Sequence, residues 1–354
     1  MSRRRGQRVV RLRLRRPDDW HLHLRDGALL AAVLPHTAAR FARAIVMPNL
    51  SPPVTTTAAA LAYRERILMA LPAGMQFTPL MTLYLTDNTP PEEIHRARDS
   101  GVIVGVKLYP AGATTNSDSG VTDLAHCAEA LAAIEETGLV LQVHGEVTAS
   151  SVDVFDRERI FIERVLAPVV ERHPRLKVVL EHVTTADGVD FVRSARAGIA
   201  ATITPQHMLL NRNALFAGGL RPHNYCLPVL KAERHREAVC AAATGGEERF
   251  FLGTDSAPHT QRNKESSCGC AGIYSAPVGI EIYAEAFETA GALERLEAFA
   301  SEFGPRFYGL PLNDDELVLE RREWRPPAEY VVDDERLVPF RAGEPVAWAL
   351  AGAA

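Results

Sequence analysis

The stretch "WHLHLRDG" at residues 20–27 alternates apolar side chains with two histidines and an arginine. Successive side chains of an extended strand point to opposite faces. His21, His23 and Arg25 are therefore predicted to share one face of a strand, while Trp20, Leu22 and Leu24 share the other. The rest of the chain decides whether the polar face is solvated surface or part of a functional site.

Short apolar strands alternate with helical segments along most of the chain. After residues 20–26, the strand candidates are 44–49, 78–85, 102–110, 139–146, 176–182, 199–207 and 249–257, and the helix candidates include 57–71, 91–99, 123–137, 156–172, 185–197 and 231–243. Such alternation indicates βαβ units and a parallel sheet. Eight strands favour an α/β fold of the (β/α)8 TIM-barrel type, and the first strand lacks the glycine fingerprint of a Rossmann fold.

The chain of 354 residues divides by composition into three parts. We expect an arginine-rich extension at 1–16, a barrel at 17–304, and a C-terminal appended segment at 305–354 that packs on the barrel and carries a strand pair, "EYVVDD" and "PVAWAL". The extension is interpreted as solvated, with a patch for polyanions or membranes as the alternative. The net charge of −5 argues against a nucleic-acid partner for the body of the chain.

Targeting signals and cysteines point to a cytoplasmic protein without a membrane partner. No apolar run is long enough to span a bilayer or to serve as a secretory signal. The five cysteines form an odd, scattered set, which is typical of reduced thiols. Cys268 and Cys270 lack the second cysteine pair of a structural zinc site, so a metal there is not expected.

Metal-binding side chains recur where the predicted strands end. Active sites of TIM barrels lie at the carboxyl ends of the strands, because the βα loops open there. Histidine nitrogens and a carboxylate suit zinc. A single buried histidine is usually structural, but convergence of several on one end of a barrel indicates a metal site. The residues are His21, His23, His144, His182 and Asp255.

Lys107 lies in the apolar strand "VIVGVKLYP", in a chain that has lysine at only four positions. Burial of an ammonium group is costly unless the group is paired or neutralised. A lysine at a strand end could instead extend its amine to solvent. Beside four histidines, a lysine of lowered pKa could take up carbon dioxide, and the resulting carbamate would bridge two metal ions.

Eight motifs in order resemble the short, stand-alone (class II) dihydroorotases of the amidohydrolase superfamily. They are "DDWHLHLRDG", "AIVMPNLSPPVTT", "KLYPAGATTNSDSGVT", "VHGEVT", "EHVTT", "ATITPQHMLLNRN", "RPHNYCLPVLK" and "FLGTDSAPHTQRNKESSCGCAG", and the resemblance runs from about residue 12 to the C-terminus. It implies a homodimeric, zinc-dependent enzyme that reversibly closes N-carbamoyl-L-aspartate to L-dihydroorotate, the third step of de novo pyrimidine biosynthesis.

The resemblance also implies a role for each metal-binding residue. Two Zn²⁺ ions per subunit would be held, one by His21, His23 and Asp255 and the other by His144 and His182. Lys107, carboxylated by carbon dioxide, would bridge both ions. Asp255 would take the proton of the attacking water and deliver it to the leaving amide nitrogen.

The substrate contacts follow from the same resemblance. Arg25, which extends from the first strand, is suited to a bidentate contact with the substrate carboxylate, and Asn49 and His259 would join it. The backbones of Leu227 and Ala271 would hold the ring. Loop 111–120 would act as a lid through Thr114 and Thr115, although its composition alone equally fits an ordinary βα loop.

Two other functions remain open at this point. A hydantoinase or allantoinase would use the same metal ligands, but a substrate without a carboxylate would leave Arg25 unpaired. A non-catalytic scaffold barrel would be expected to lose a metal ligand, and none is lost here. Glu146, His207 and His223 also lie near strand ends, and we expect them to hydrogen-bond to the ligands.

Overall fold

The computed structural model describes residues 10–352 and has a closed barrel at its centre. Eight parallel strands are hydrogen-bonded in chain order: β2 (Asp18–Leu22), β3 (Arg43–Val46), β4 (Thr78–Tyr84), β5 (Ile103–Leu108), β6 (Val140–Val143), β7 (Lys177–Leu180), β8 (Ile199–Ile203) and β9 (Phe250–Leu252). The first and last strands meet where the Asp255 amide donates to the His21 carbonyl (2.8 Å) and the His23 amide donates to the Ser256 carbonyl (3.0 Å). The predicted α/β (β/α)8 barrel is confirmed.

Helices cover the outside of the barrel and shield its apolar strands. They are α1 (Gly27–Ala38), α2 (Thr57–Ala70), α3 (Pro91–Asp99), α4 (Ala128–Thr137), α5 (Arg157–Phe161), α6 (Ala167–Arg172), α7 (Ala186–Ser194), α8 (Pro205–Leu209), α9 (Glu233–Thr244), α10 (Gln261–Lys264), α11 (Gly279–Thr289) and α12 (Phe303–Tyr308). A π-helical turn at Ile162–Leu166 joins α5 to α6, and another at Ala298–Glu302 precedes α12. Short 3₁₀ turns lie at Leu124–Cys127, Arg212–Leu215, Pro222–Asn224 and Leu293–Arg295.

Aromatic side chains close the amino-terminal end of the barrel. The Trp20 ring is fully buried, stacks on Tyr308 with 4.6 Å between ring centroids, and meets Phe251 edge-on. Burial of these large apolar surfaces stabilises this end of the barrel. The predicted site residues lie at the opposite, carboxyl ends of the strands.

All eight predicted strands are longer than the observed ones, and the differences at the first and the seventh concern Arg25 and His207. The first ends at Leu22, so His23 and Arg25 lie in the connection to α1 and Arg25 does not continue the strand face of His21. The prediction for 199–207 is wrong beyond Ile203, because Thr204 caps α8 and its hydroxyl accepts the His207 amide at 3.1 Å. In both places local turn geometry ends an apolar pattern that reads as strand.

The C-terminal segment differs from its predicted strand pairing. Strand β11 (Tyr330–Val332) pairs with β12 (Glu335–Leu337), whereas β13 (Ala349–Leu350) pairs with β10 (Glu316–Glu320). The predicted pairing of "EYVVDD" with "PVAWAL" is wrong. A local hairpin closes a shorter loop than the predicted partner would, and so it costs less chain entropy.

The N-terminal arginines are partly structural. Strand β1 (Arg11–Arg15) pairs antiparallel with β10, and Arg11 and Arg13 form ion pairs with Glu320 (2.8 Å) and Glu316 (3.2 Å). For this part of the predicted extension, the interpretation as solvated chain is wrong. The division at residues 16 and 304 stays a prediction, and Arg3, Arg4, Arg5 and Arg8 lie outside the described residues.

Within residues 10–352, the helices all fall short of the length and hydropathy that a membrane crossing requires. The five cysteines lie in the same range, and none of them is in a disulfide.

Candidate metal centre and substrate pocket

Three ligand-type side chains meet at the carboxyl end of the barrel. The ligand atoms of His21, His23 and Asp255 all lie within 4.8 Å of one another, and all three residues are buried. Asp255 Oδ1 is 3.1 Å from His23 Nε2 and 3.4 Å from His21 Nε2. Two imidazoles and a carboxylate at this spacing are a suitable donor set for a divalent metal ion such as zinc.

His144 and His182 extend this cluster. The His182 ring lies 5.0 Å from the His21 ring and 4.8 Å from the His144 ring, centroid to centroid. His144 Nε2 hydrogen-bonds to Glu146 Oε2 at 2.8 Å, and His182 Nδ1 is a buried nitrogen without a hydrogen-bond partner. The four predicted histidines thus form one continuous group.

Lys107 lies inside the same cluster. Its side chain is fully buried, and its Nζ has no hydrogen-bond partner. Burial lowers the pKa of this amine to about 8, while Glu181 and Asp255 oppose the shift. The amine is therefore more readily neutral than an ordinary lysine, and the structure does not support an amine that extends to solvent.

These orphaned atoms test whether the site fits a metal centre. A buried polar atom without a partner costs free energy, so Lys107 Nζ and His182 Nδ1 require an explanation. Burial also holds the pKa of the His23 and His182 imidazoles well below the ordinary value. Neutral imidazoles are the form that binds metal ions, and the residues present therefore fit a metal site.

The backbone at three of these positions is in the left-handed region. The φ angle is +59° at Arg25, +43° at His182 and +45° at Asp255. Non-glycine residues rarely adopt this conformation, and it occurs often at functional sites. It turns each of these residues out of regular strand geometry just beyond β2, β7 and β9.

The predicted carboxylate-binding residues lie beside the candidate metal ligands. The half-buried Arg25 guanidinium donates to the Pro258 carbonyl (3.1 Å) and to His259 Nε2 (2.9 Å), so His259 carries its proton on Nδ1. Burial and the Arg25 charge lower the pKa of His259 to about 2. Among residues 10–352, no carboxylate forms an ion pair with Arg25 (N···O within 4.0 Å).

Asn49 connects the cluster to the predicted lid. Its Oδ1 accepts from His23 Nδ1 at 2.8 Å, and its Nδ2 donates to the Thr115 carbonyl at 3.1 Å. Thr115 Oγ1 in turn donates to the Ala271 carbonyl at 3.4 Å. Asn49 thus contacts a candidate metal ligand and the loop at the same time.

The cavity at the centre has a volume of about 20 Å³ and is lined by the histidines, Arg25, Asn49, Thr114, Thr115, Leu227, Asp255 and Ala271. This volume is below that of a small organic molecule, and Thr114 and Thr115 of loop 111–120 form part of the cavity wall. An outer cavity of about 600 Å³ shares Arg25 and Thr115 with it and also borders His259. The two cavities together mark a route from solvent to the cluster.

Sequence reasoning missed two buried carboxylates that hold this site. Glu181 Oε2 accepts from His21 Nδ1 (2.8 Å) and from the Thr202 hydroxyl (2.6 Å). Asp19 accepts from the His21 and Thr254 amides at 3.2 and 2.8 Å. Glu181 directly precedes His182, and Asp19 lies two residues before His21, but both partners of Glu181 and the Thr254 partner of Asp19 are distant in the sequence.

Of the three residues expected to support the ligands, only Glu146 contacts one. His207 bonds instead to the Thr204 hydroxyl (2.7 Å) and to the Pro228 carbonyl (3.0 Å), and His223 bonds to Glu265 at the surface (2.9 Å). For His207 and His223 the expectation is wrong. The helical turn of α8 and the 3₁₀ turn at Pro222–Asn224 aim these rings at other partners.

Comparison with known proteins identifies the family of this chain. The amidohydrolase family matches residues 19–313. A dihydroorotase from Azoarcus sp. is 65% identical over 95% of this chain and 98% of its own length. The crystal structure of a dihydroorotase from Campylobacter jejuni is 35% identical and covers 98% of each chain with a TM-score of 0.89. A dihydroorotase from Saccharomyces cerevisiae, solved with 5-fluoroorotic acid, is 33% identical and covers 96% of this chain and 98% of its own, also with a TM-score of 0.89. The chain belongs to the amidohydrolase family and, within it, to the dihydroorotases.

Proposed function

We propose that this chain catalyses the reversible closure of N-carbamoyl-L-aspartate to L-dihydroorotate, the reaction that its family name denotes, in pyrimidine biosynthesis. The observation that carries the proposal is the Arg25 guanidinium, which lies beside the histidine cluster and has no carboxylate partner among the described residues. Both reactants carry a carboxylate that can fill this position. A guanidinium binds a carboxylate through two parallel hydrogen bonds, which also orient the ring.

We assign the metal-binding roles to the clustered residues. His21, His23 and Asp255 would hold one zinc ion, and His144 and His182 would hold a second. Glu146 engages His144 Nε2, which leaves Nδ1 of that ring for the metal. Bound zinc supplies Lewis-acid polarisation of the scissile carbonyl and lowers the pKa of a water molecule.

Lys107 would join these two sites as a carbamate. Its neutral amine would form an N–C bond to carbon dioxide and release one proton, which leaves an anionic group. This change explains a buried lysine without a hydrogen-bond partner, because the carbamate oxygens would gain partners that the amine lacks.

Asp255 would move the proton of the reaction. Without metal, burial raises the pKa of its carboxyl group above the ordinary value, and a carboxylate placed beside the reacting atoms can accept a proton and then donate it. In ring opening, its carboxylate would accept a proton from the attacking water and deliver it to the leaving amide nitrogen. In ring closure the same steps run in reverse.

The remaining residues would bind the substrate and enclose it. Arg25, Asn49 and His259 would contact the carboxylate, with His259 donating from Nδ1. Asn49 Nδ2 now bonds to the Thr115 carbonyl, so entry of substrate would exchange that bond for one to the carboxylate. Thr114 and Thr115 would then close over the bound ring, whose edge meets the Leu227 and Ala271 backbones.

The test is ring opening of L-dihydroorotate, followed by ultraviolet absorbance, before and after chelation and zinc addition. We expect zinc-dependent turnover, and Arg25→Ala should impair L-dihydroorotate far more than an uncharged cyclic imide. Folded, zinc-loaded protein without turnover would reject the proposal. Equal losses on both substrates would remove the assigned role of Arg25 and favour a hydantoinase. We further propose a cytoplasmic homodimer, which sedimentation of the purified protein tests.

A further inference from the structure

Lys264 is a second buried lysine, and the proposed chemistry does not use it. It ends α10, and its side chain is 4% exposed. Its Nζ donates to three backbone carbonyls, those of Tyr225 (2.8 Å), Cys270 (2.8 Å) and Gly272 (2.7 Å). An ammonium group has three protons to donate, so these three bonds satisfy it completely.

The three carbonyls belong to the two backbone segments that border the central cavity. Tyr225 lies two residues before Leu227, while Cys270 and Gly272 flank Ala271. Leu227, Ala271 and Gly272 all line that cavity. The segments also contact each other directly, because the Gly272 amide donates to the Tyr225 carbonyl at 3.0 Å. One ammonium group therefore ties both segments together.

We propose that Lys264 is a positioning residue for the substrate ring: it holds segments 225–228 and 270–272 at a fixed separation, so that the backbones of Leu227 and Ala271 bind the ring together. This inference rests on the proposed function for the identity of the ligand. Lys264 does not line the central cavity, and its three hydrogen bonds go to the two segments, so it acts through them.

The chemistry of the site requires a lysine. Three carbonyls converge on one point, and a compact ammonium group with rotatable donors fits such an arrangement, whereas a planar guanidinium does not. The backbone at Gly272 leaves little room for adjustment, since its φ is +148° and an added Cβ would lie 2.6 Å from the Ala257 carbonyl oxygen. The segment is thus fixed on one side by Ala257 and on the other by Lys264.

The hydrogen bonds of Lys264 also affect the predicted lid, loop 111–120. The Ala271 carbonyl accepts the hydroxyl of Thr115, and the carbonyls on either side of it accept Lys264. Displacement of this segment would therefore move the docking point of loop 111–120. Loss of the three Lys264 hydrogen bonds should weaken substrate binding more than it slows the chemical step, because the proposed metal ligands lie on other parts of the barrel.

The test compares Lys264→Met with Lys177→Met in the zinc-loaded enzyme. Lys177 is a matched control, since its Nζ also donates to a backbone carbonyl, that of Phe307 (3.1 Å), at the opposite end of the barrel. We expect Lys264→Met to raise KM for L-dihydroorotate about tenfold or more, with kcat within about threefold and zinc content unchanged. Lys264→Gln, which keeps an amide donor, should give an intermediate KM. Lys177→Met should match the wild type.

A second readout does not depend on activity. Amide hydrogen exchange of Lys264→Met should accelerate in residues 222–228 and in residues 265–273 together, and not in the strands that carry the histidines. A wild-type KM, a loss confined to kcat, or faster exchange in only one segment would overturn the inference. Should Lys264→Met fail to fold, the same measurements on Lys264→Gln decide. Absence of turnover by the wild type would reject the proposed function. The exchange result alone would then decide whether Lys264 holds the two segments together.

Discussion

The hydrogen bond between Glu181 and His21 allows a quantitative test of how the barrel orients the proposed metal ligands. The Glu181 side chain is fully buried, and its Oε2 accepts from His21 Nδ1 and from the Thr202 hydroxyl. This contact places the proton of His21 on Nδ1, so Nε2, which lies 3.4 Å from Asp255, is the nitrogen free to bind metal.

Glu181→Gln keeps the size of the side chain but removes its charge. Loss of such an outer partner costs about 10- to 100-fold in metal affinity, which corresponds to about 1.4–2.7 kcal/mol. The glutamine oxygen can still accept from His21, so we expect the lower end, a loss of about tenfold. Competition between the protein and a chromophoric chelator for zinc measures this affinity directly.

The control is Glu281→Gln, which changes another fully buried carboxylate. Glu281, in α11, pairs with Arg40, which follows the end of α1, away from the histidines of the candidate site. We expect this variant to lose stability but to bind zinc as tightly as the wild type. Unchanged zinc affinity in folded Glu181→Gln, or an equal loss in Glu281→Gln, would refute the reasoning.

Three further predictions concern Lys107, the amino-terminal end of the barrel and the pH dependence of the unfolding free energy. Lys107→Ala should abolish turnover and lower the bound metal; wild-type activity with full metal would contradict the carbamate proposal. Gly304→Ala should lower the free energy of unfolding by about 1–3 kcal/mol in a denaturant titration, because its Cβ would lie 2.0 Å from Trp20 Nε1; an unchanged midpoint would show that the ring yields without cost. Burial lowers the pKa of His207 from 6.5 to about 4, so the unfolded chain binds the extra proton between these values. The unfolding free energy should therefore fall by roughly 3 kcal/mol as pH drops through this window, and His207→Gln should remove that part of the slope.

The barrel could be predicted because its strands carry strong, local signals. Apolar runs of strand length, separated by amphipathic segments, gave all eight strands in their correct order. Helix α3 matches its predicted range of 91–99, since Pro91 begins it and acidic residues fill its first turn. The ends of β2 and β8 were not predictable from periodicity, because the chain leaves extended geometry at Arg25 and at Pro205, where α8 begins.

The sequence of the C-terminal segment contains a local signal for the observed hairpin. A two-residue turn at Asp333 and Asp334 joins β11 to β12, and Asp333 has a φ of +51°. Aspartate tolerates this conformation better than most residues and is common in such hairpin turns. The local sequence "VVDDER" therefore supports the hairpin, whereas the partner of β13 depends on contacts with β10 that are distant in sequence.

Some features of the candidate site can be predicted from local sequence, whereas others depend on residues that are distant in the sequence. Histidines at strand ends are visible in the sequence, because the fold brings the carboxyl ends of its strands together. What holds them is not visible, since Glu181 acts on His21 across the barrel and Lys264 joins two loops. A charged residue inside an apolar stretch of sequence indicates a buried charge that must have a partner. The sequence does not identify the carbonyl or imidazole that will be this partner.

The backbone at Arg25, His182 and Asp255 is in the left-handed region, and the rest of the fold must supply the free energy that keeps it there. Such a conformation costs on the order of 1–3 kcal/mol at each non-glycine residue, so surrounding bonds must impose it. The Asp255 amide donates to the His21 carbonyl, and the His182 amide donates to the Thr202 hydroxyl, which also bonds Glu181. Thr202 is therefore a shared partner of Glu181, which orients the proposed ligand His21, and of the backbone of His182, another proposed ligand. Because local propensity disfavours this geometry, only the closed barrel can produce it, and the site exists only once β2, β7, β8 and β9 have come together.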